Sequence, residues 1–377
     1  MHGHTDEGKP PDSRTTPASP CLNDLVSAVS QLPAQFVARL RKIVPDACLE
    51  GCLSSFVGSK FVGFRVNTLK SDRAALEREL AELAVSFKKV EWLPEAYMAP
   101  PSMRDVLSHA PAFAEGRLYI QDLSSMLAVH VLDPQPGEEI LDLAAAPGGK
   151  TCFIAARMQN RGRIAAVEVI RERMYRLVAN LRTAGVDIVD TYLMDGRSVG
   201  HKTPNRFDRV LLDAPCSSEA RFHVTEPESY ARWSLRKIAE CSRKQRGLLV
   251  SAVKAAKPGG LIVYCTCSFA PEENEAVVDH TLRILPDELE VIPVSLPISN
   301  WTPGLTEWKG QSFLPEVARS VRILPTSEMG GFFLCCLTKR KPSAVTRDRL
   351  SYRRSGNERD RQHFKETGWD DGGEESW

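Results

Sequence analysis

Two cysteines of this 377-residue chain stand where a thiol could act as a nucleophile. Cys216 follows Asp213-Ala214-Pro215, and Cys267 lies in the run Tyr264-Cys265-Thr266-Cys267-Ser268. Each comes directly after a short apolar run that we predict to be a core strand, so both side chains should reach the same crevice. A thiol in such a crevice becomes nucleophilic when its surroundings lower its pKa.

A turn of small residues supplies a candidate ligand-binding loop. Residues 144–150 read Ala-Ala-Ala-Pro-Gly-Gly-Lys and follow another predicted strand. Small residues let the backbone approach a ligand, and the helix that follows offers free N–H groups. Gly149-Lys150-Thr151 resembles the end of a phosphate loop, which keeps a nucleotide triphosphatase as an alternative. That loop needs a glycine where this chain has Ala144, and the GxGxxG fingerprint of dinucleotide sites is absent.

Three acidic residues favour a different ligand. Glu168, Asp195 and Asp213 stand at or near the ends of the second, third and fourth predicted strands of this region. Acids in series match phosphate poorly, but they suit a ribose, an amino group and a positive charge, as in S-adenosylmethionine. The alternative for any one of them is that it caps the helix that follows its strand.

The cysteine pair indicates which group could accept the methyl group of this cofactor. Cytosine carbon 5 is too electron-poor to take a methyl group unaided, but addition of a thiolate to carbon 6 makes it nucleophilic. A base then removes the proton from carbon 5, and the thiol is eliminated. Two cysteines in one crevice are explained if one attacks and the other assists release. Residue chemistry alone does not say which of Cys216 and Cys267 attacks.

Strands alternate with helices from residue 138 onward, which indicates a doubly wound α/β fold with a mostly parallel sheet. The predicted strands are 139–143, 163–167, 188–193, 208–212 and 260–265, and the predicted helices are 151–158, 171–184, 234–256 and 273–284. Two further runs, 320–324 and 331–338, predict an antiparallel hairpin at the sheet edge. The region before residue 130 has a mixed α/β pattern.

Composition limits the class of protein. The 49 Lys and Arg against 48 Asp and Glu give a net charge of +1, which excludes a globally basic nucleic-acid binder. Positive charge is instead local, at 229–257 and 339–365. In the first of these, Leu235, Ile238 and Val253 are expected to face the sheet. No apolar run approaches the about 18 residues of a membrane span, and neither a secretory signal nor a zinc motif is present. We expect a cytoplasmic monomer.

Several motifs together resemble the Sun-type family of RNA cytosine-5 methyltransferases over roughly three-quarters of the chain. They are Arg65-Val66-Asn67-Thr68-Leu69, Tyr119-Ile120-Gln121-Asp122-Leu123-Ser124-Ser125, the loop 144–150, 213–216, and 264–268 followed by Glu273-Asn274-Glu275. The resemblance implies a class I S-adenosylmethionine-dependent, Rossmann-like methyltransferase domain. The chain then divides into a disordered segment at 1–30, an N-terminal α/β RNA-binding region at 31–130, the methyltransferase domain at 131–340, and a disordered tail at 341–377. The disorder of both ends is predicted from their polar composition.

The resemblance also implies a role for each matching residue. Cys267 is then the nucleophile and Cys216 assists release of the product, with Asp213 and Lys150 at the cytosine. The implied cofactor-binding residues are Ala144, Ala145, Ala146, Pro147, Gly148, Gly149, Lys150, Glu168, Arg173, Asp195 and Asp213. No metal is implied, and Cys265 is given no role. The expected substrate is rRNA, with tRNA as the second choice and a non-catalytic RNA-binding assembly factor as the rival from another class.

Overall fold

The computed structural model describes residues 22–341, which form two sheets with their covering helices and a small third sheet. The N-terminal elements are α1 (Leu22–Val29), α2 (Ala34–Ile43), α3 (Asp46–Ser54), β1 (Val62–Val66), α4 (Arg73–Glu82), β2 (Lys88–Lys89), β3 (Ala96–Ala99), α5 (Arg104–His109), α6 (Pro111–Ala114) and β4 (Leu118–Ile120). The four strands form an antiparallel sheet in the order β2-β3-β1-β4.

The larger sheet belongs to the rest of the chain. Its elements are α7 (Leu123–Leu132), β5 (Glu139–Asp142), α8 (Gly149–Arg157), β6 (Arg163–Glu168), α9 (Arg171–Ala184), β7 (Val189–Leu193), α10 (Val199–Lys202), β8 (Phe207–Asp213), α11 (Leu235–Ala255), β9 (Ala256–Thr266), α12 (Glu275–Ile284), β10 (Leu289–Ile292), β11 (Trp301–Pro303), β12 (Glu307–Trp308), β13 (Gln311–Ser312), β14 (Val321–Ile323) and β15 (Phe332–Lys339). Short 3-10 turns join several of them.

The large sheet confirms the predicted doubly wound α/β class. Its strand order is β11-β14-β15-β9-β8-β5-β6-β7, with β10 also paired to β15. The five strands from β9 to β7 run parallel, because each is separated from the next by a helical crossover. The carboxyl ends of these strands therefore lie at one edge of the sheet, where doubly wound folds bind their ligands.

Alternate strand residues form a core on each face of the sheet. Leu141, Leu212 and Tyr264 belong to the cluster that holds the buried residues of α11 and α12. Ile140, Leu211 and Val263 belong to the opposite cluster, with α7 and α8. This period-2 alternation is expected of strands buried on both faces, and it keeps the sheet edge rigid beneath the loops.

The predicted hairpin forms, but its predicted place at the sheet edge is wrong. β14 and β15 pair antiparallel, from Val321 opposite Leu334 to Ile323 opposite Phe332. β15 then pairs along its other side with β9, and β11 covers the outer side of β14. The apolar side chains of β15 are buried because the strand lies inside the sheet.

Two other expectations need correction. Residues 1–30 were expected to lack regular structure, whereas residues 22–29 form α1 and bury Leu25 and Val29. Residues 1–21 and 342–377, including most of the predicted basic tail, lie outside the described part of the chain. On α11, Leu235 does not face the sheet and is 43% exposed, since it occupies the first position of the helix.

Two residues of the first motif tie the N-terminal sheet to the large one. Arg65 is buried, stacks on the Phe153 ring at 4.6 Å, and donates from Nη2 to the carbonyl oxygen of Gly149 at 3.3 Å. The amide of Asn67 donates to the carbonyl oxygens of Gly116 and Ala184, each at 2.8 Å. Within residues 22–341, no helix is both long and apolar enough to cross a bilayer.

Candidate active site

Cys216 and Cys267 meet at the carboxyl edge of the sheet. β8 and β9 are parallel neighbours, with Asp213 opposite Cys265, so the loops after them leave the sheet side by side. The two sulfur atoms lie 3.4 Å apart, and a main-chain hydrogen bond of 3.0 Å from Ala220 N to Cys267 O joins the loops. The structure therefore brings together the two cysteines that the sequence predicts to share a site.

Two buried glutamates hold these loops together. Glu273 accepts hydrogen bonds from Ser217 N at 2.9 Å, from the hydroxyl of Ser217, and from Ser268 Oγ at 2.9 Å. Glu219 accepts from Phe269 N at 2.8 Å and from Ser268 Oγ at 3.1 Å. Glu273 thus contacts residues of both loops, and Glu219, which lies on the loop after β8, contacts the loop after β9; these bonds hold the loops that carry the cysteines together. Burial raises the pKa of Glu273 to about 7 and also raises the pKa of Glu219.

The electrostatics distinguish the two thiols. The hydrogen bond between the two thiols lowers the pKa of Cys267, and the positive charge of Arg221 lowers it further, against the opposing effect of burial. The same hydrogen bond and burial raise the pKa of Cys216 well above its ordinary value. The pair therefore favours a thiolate at Cys267 and a neutral thiol at Cys216, which are the states of a nucleophile and a proton donor.

Lys150 and Asp213 form a partly buried ion pair beside these loops. Lys150 Nζ lies 2.6 Å from Asp213 Oδ2 and 3.2 Å from Ser125 Oγ. Burial opposes the charge, but Asp213 raises the pKa of Lys150, so the ammonium stays protonated. A phosphate-loop lysine must instead direct its ammonium to the ligand phosphates. The carboxylate on Lys150 therefore weighs against the triphosphate alternative.

Polar side chains of α9 donate hydrogen bonds to the main chain of the loop 144–150. Arg173 Nη2 donates to Ala146 O at 2.6 Å, and Asn180 Nδ2 donates to Pro147 O at 2.8 Å. Gly148 has φ +108°, and an added Cβ would lie 2.9 Å from Leu177 Cδ1. This position therefore requires glycine, both for its backbone conformation and for the close approach of α9.

Glu168 has the environment of a ligand-binding acid. Its Oε1 accepts from the N–H groups of Val169 and Ile170, each at 2.9 Å. Its Oε2 is buried, accepts no hydrogen bond, and lies 3.3 Å from Arg173 Nη1. A buried carboxylate oxygen without a donor is costly unless a ligand supplies one. A ribose hydroxyl would do so, so the residues present fit a nucleoside-containing cofactor.

Asp195 differs from Glu168 in that its carboxylate already has partners. It caps the 3-10 helix Gly196–Ser198 through a 2.9 Å hydrogen bond from Arg197 N, and the Arg197 guanidinium lies 2.5 Å from Oδ2. The sequence left two roles open for an acid at a strand end, helix capping and ligand binding. Asp195 caps the helix that follows it, whereas Glu168 keeps an oxygen that accepts no hydrogen bond and could bind a ligand.

Four residues of the site had no role in the sequence-based reading. Asp142 ends β5, is buried, and accepts from Thr151 Oγ1 at 2.7 Å; burial raises its pKa to about 6. Its place at a strand end was a usable signal, as it was for Glu168. Glu273 was visible only as part of a motif, and Glu219 and Arg221 carried no signal, because the loop that bears them follows no repeating pattern. Within residues 22–341, no group of three or more His, Cys, Asp or Glu residues is arranged to hold a metal ion.

Comparison with known proteins gives consistent matches over most of the chain. Residues 129–338 match the family model described as 16S rRNA methyltransferase RsmB/F, and residues 32–123 match the N-terminal domain of 16S rRNA methyltransferase RsmF. The chain is 38% identical over 277 residues to the tRNA (cytosine(49)-C(5))-methyltransferase of Pyrococcus abyssi, covering 73% of this chain and 87% of that protein.

A second relative and a solved structure extend these matches. Ribosomal RNA small subunit methyltransferase F of Escherichia coli is 34% identical over 316 residues, or 81% of this chain. The match spans 63% of that relative's own length. The crystal structure of a methyltransferase homolog protein from Pyrococcus horikoshii superposes with a TM-score of 0.70 at 30% identity, covering 84% of this chain and 99% of that one.

Proposed function

Because this chain belongs to the RsmB/F family of RNA methyltransferases, we propose that it transfers a methyl group from S-adenosylmethionine to carbon 5 of cytosine in RNA. The observation that carries this proposal is the sulfur pair. Cys267 and Cys216 lie 3.4 Å apart at the ligand-binding edge of the sheet, with a hydrogen bond that favours the Cys267 thiolate.

Cys267 is the nucleophile in this proposal. Its thiolate forms a bond to carbon 6 of the cytosine, and the electron pair of the ring double bond moves to carbon 5. Carbon 5 takes the methyl group, a base removes the proton from carbon 5, and the sulfur–carbon bond then breaks with the electron pair returning to the thiolate. Cys216 assists this last stage, since its neutral thiol lies beside the departing sulfur.

Lys150 and Asp213 complete the reacting side of the site. Asp213 ends β8, beside the loop that carries Cys216, and Lys150 lies in the first turn of α8. Their ion pair offers one ammonium and one carboxylate to the polar edge of a cytosine. A fixed pair of opposite charges is already organised before the base enters, so little reorganisation is needed during the reaction.

The cofactor residues follow from the loop and the strand-end acids. When bound, S-adenosylmethionine supplies an electrophilic methyl group on a positively charged sulfur. We assign its binding to the backbone of 144–150, to Glu168 for the ribose, and to Asp195, Asp213 and Arg173 around it. The buried Glu168 oxygen without a donor supports this assignment.

The N-terminal match supports one class of RNA over the other. Residues 32–123 match the N-terminal domain of an rRNA enzyme, which favours 16S rRNA as the substrate over tRNA. The test is to incubate the purified chain with a labelled methyl donor and either 16S rRNA or tRNA transcripts, and to locate the product by bisulfite sequencing. We expect 5-methylcytosine in 16S rRNA. Label in tRNA alone would overturn the rRNA assignment. Binding of S-adenosylhomocysteine without methylation of either RNA would point to a non-catalytic assembly factor.

A further inference from the structure

An open, basic cavity lies on the helical layer formed by α10, α11 and α12. Its volume is about 500 Å³, and its ionisable lining residues are Arg197, His201, Arg243, Arg246 and His280. None of the described residues that line it is an aspartate or a glutamate. Gly247 also belongs to the wall, and its missing side chain lets the aliphatic part of Arg197 cross α11, since an added Cβ would lie 3.0 Å from Arg197 Cδ.

The arginines of this cavity differ in how far their charge is neutralised. Arg197 is paired with Asp195. Among residues 22–341, neither Arg243 nor Arg246 has a carboxylate within ion-pair distance, and Arg246 Nε is buried without a hydrogen-bond partner. Arg246 and His280 line the same cavity, and burial and then the charge of Arg246 lower the pKa of His280. Guanidinium groups without a carboxylate partner in the wall of an open cavity are the groups that a bound anion would pair with.

The cavity adjoins the site of methyl transfer through α11. Gln245, the residue before Arg246, donates from Nε2 to Pro215 O at 2.9 Å and to Glu273 Oε2 at 3.1 Å. The same turn of α11 therefore supports the Cys216 loop on one side and presents Arg246 to the cavity on the other. Asp195, at the cofactor edge, is bonded to Arg197 in the cavity wall.

We propose that this cavity binds phosphodiester groups of the substrate RNA, in a segment of the strand away from the target cytosine. The inference rests on the proposed function in that RNA is the substrate. Guanidinium groups match phosphate geometry through paired N–H donors, and contacts of this kind position a nucleic acid without reading its sequence. Among the described residues that line the cavity there is no Phe, Tyr or Trp, which favours backbone contact over stacking of a base.

The variant R243E/R246E tests the site, with R176E/R182E as the matched control. The control reverses two exposed charges on α9, which covers the opposite face of the sheet. Binding of a 16S rRNA transcript and of a short single-stranded cytosine-containing oligonucleotide is measured across a salt series. We expect the cavity variant to lose at least about tenfold in affinity for the transcript, and its slope of log affinity against log salt to become shallower by about 1.5. Affinity for the oligonucleotide, and the turnover rate on it, should match the control.

Three outcomes distinguish the possibilities. Unchanged affinity and an unchanged salt slope in the cavity variant would overturn the proposal, and an acidic protein surface would then become the ligand to test. Binding of S-adenosylhomocysteine verifies that the variant is folded. If R243E/R246E is not folded, the single variant R243Q, which alters an exposed residue, provides the same comparison. The expected change in its slope of log affinity against log salt is then half as large. Loss of transcript binding by the variant, together with absence of methylation by the unaltered chain, would support the cavity and refute the proposed function.

Discussion

The sulfur atoms of Cys216 and Cys267 lie 3.4 Å apart, although 51 positions separate them in the chain. The parallel pairing of β8 with β9 brings them together, and the Glu273 and Glu219 hydrogen bonds keep them there. The thiols are therefore arranged before any RNA binds. Preorganisation of this kind removes the cost of positioning the groups during the reaction.

Cys267→Ala should reduce methyl transfer below the limit of detection, because no thiolate remains to add to carbon 6. The measurement is incorporation of a labelled methyl group into 16S rRNA. Cys48→Ala is the control, since that half-buried cysteine belongs to the N-terminal helices and should leave the rate unchanged. Normal turnover in Cys267→Ala would refute the covalent mechanism.

Cys216→Ala should trap the RNA. Addition at carbon 6 still proceeds through Cys267, but the group that assists elimination is missing. We expect a protein–RNA adduct that survives denaturant and migrates as a shifted band on a gel. The double variant C216A/C267A is the control and should give no such band. A Cys216→Ala protein that binds RNA and cofactor, yet forms no adduct, would contradict the release role.

Arg221→Ala should move the pH dependence of the reaction. The Arg221 cation favours the Cys267 thiolate, so its removal raises the pKa of Cys267. The thiolate is present only above that pKa, so the acid limb of the rate profile should shift to higher pH, with the rate at neutral pH reduced. Alkylation of Cys267 by iodoacetamide, followed by peptide mass spectrometry, reports the same pKa without turnover. Arg221→Lys should restore most of the original profile, and a profile unchanged in Arg221→Ala would show that the cation does not act on the thiol.

Glu168→Gln should weaken cofactor binding. The change removes the negative charge and turns one acceptor oxygen into a donor at a site that is proposed to accept from ribose. Hydrogen bonds to charged groups contribute about 1.5–3 kcal/mol, which corresponds to a loss of roughly 10- to 150-fold in affinity. Calorimetry with S-adenosylhomocysteine measures it. Glu172→Gln, in the exposed first turn of α9, should bind as the original chain does; equal affinity in both variants would rule out the ribose contact.

Glu275→Gln should destabilise the fold. Glu275 and Arg322 form a fully buried pair, with Arg322 Nε 2.6 Å from Glu275 Oε1. The substitution leaves the Arg322 charge without a counter-ion, and breaking one side of a buried pair costs about 3–5 kcal/mol of the free energy of unfolding. Urea unfolding followed by fluorescence measures the loss. Glu290→Gln, on the exposed side of β10, is the control and should change stability by less than about 0.5 kcal/mol.

The sequence predicted those parts of the fold that follow a repeating pattern. The strand ends at Glu168 and Asp213 were placed correctly, because short continuous apolar runs end there and the strand direction follows from the helical crossovers. The edge position of the β14–β15 hairpin was predicted wrongly, since the outer side of β14 is covered by β11, a three-residue strand that no apolar run marks. Arg221 and Glu219 were missed for a related reason: their roles depend on a loop that is shaped by tertiary contacts.

The loop that carries Cys216 has no core of its own. Phe222 packs against Phe36 with ring centroids 4.9 Å apart, and Ala220, Phe222 and Val224 are buried in the cluster formed with α1 to α3. Val224 N also donates to Phe56 O at 2.9 Å. The methyltransferase half is therefore not an independent module: cutting the chain before residue 129 would expose this apolar surface beside the catalytic thiols. A gene fusion or truncation that separates the two halves would keep every reacting group in the chain. It would remove the N-terminal helices against which the loop that carries Cys216 packs.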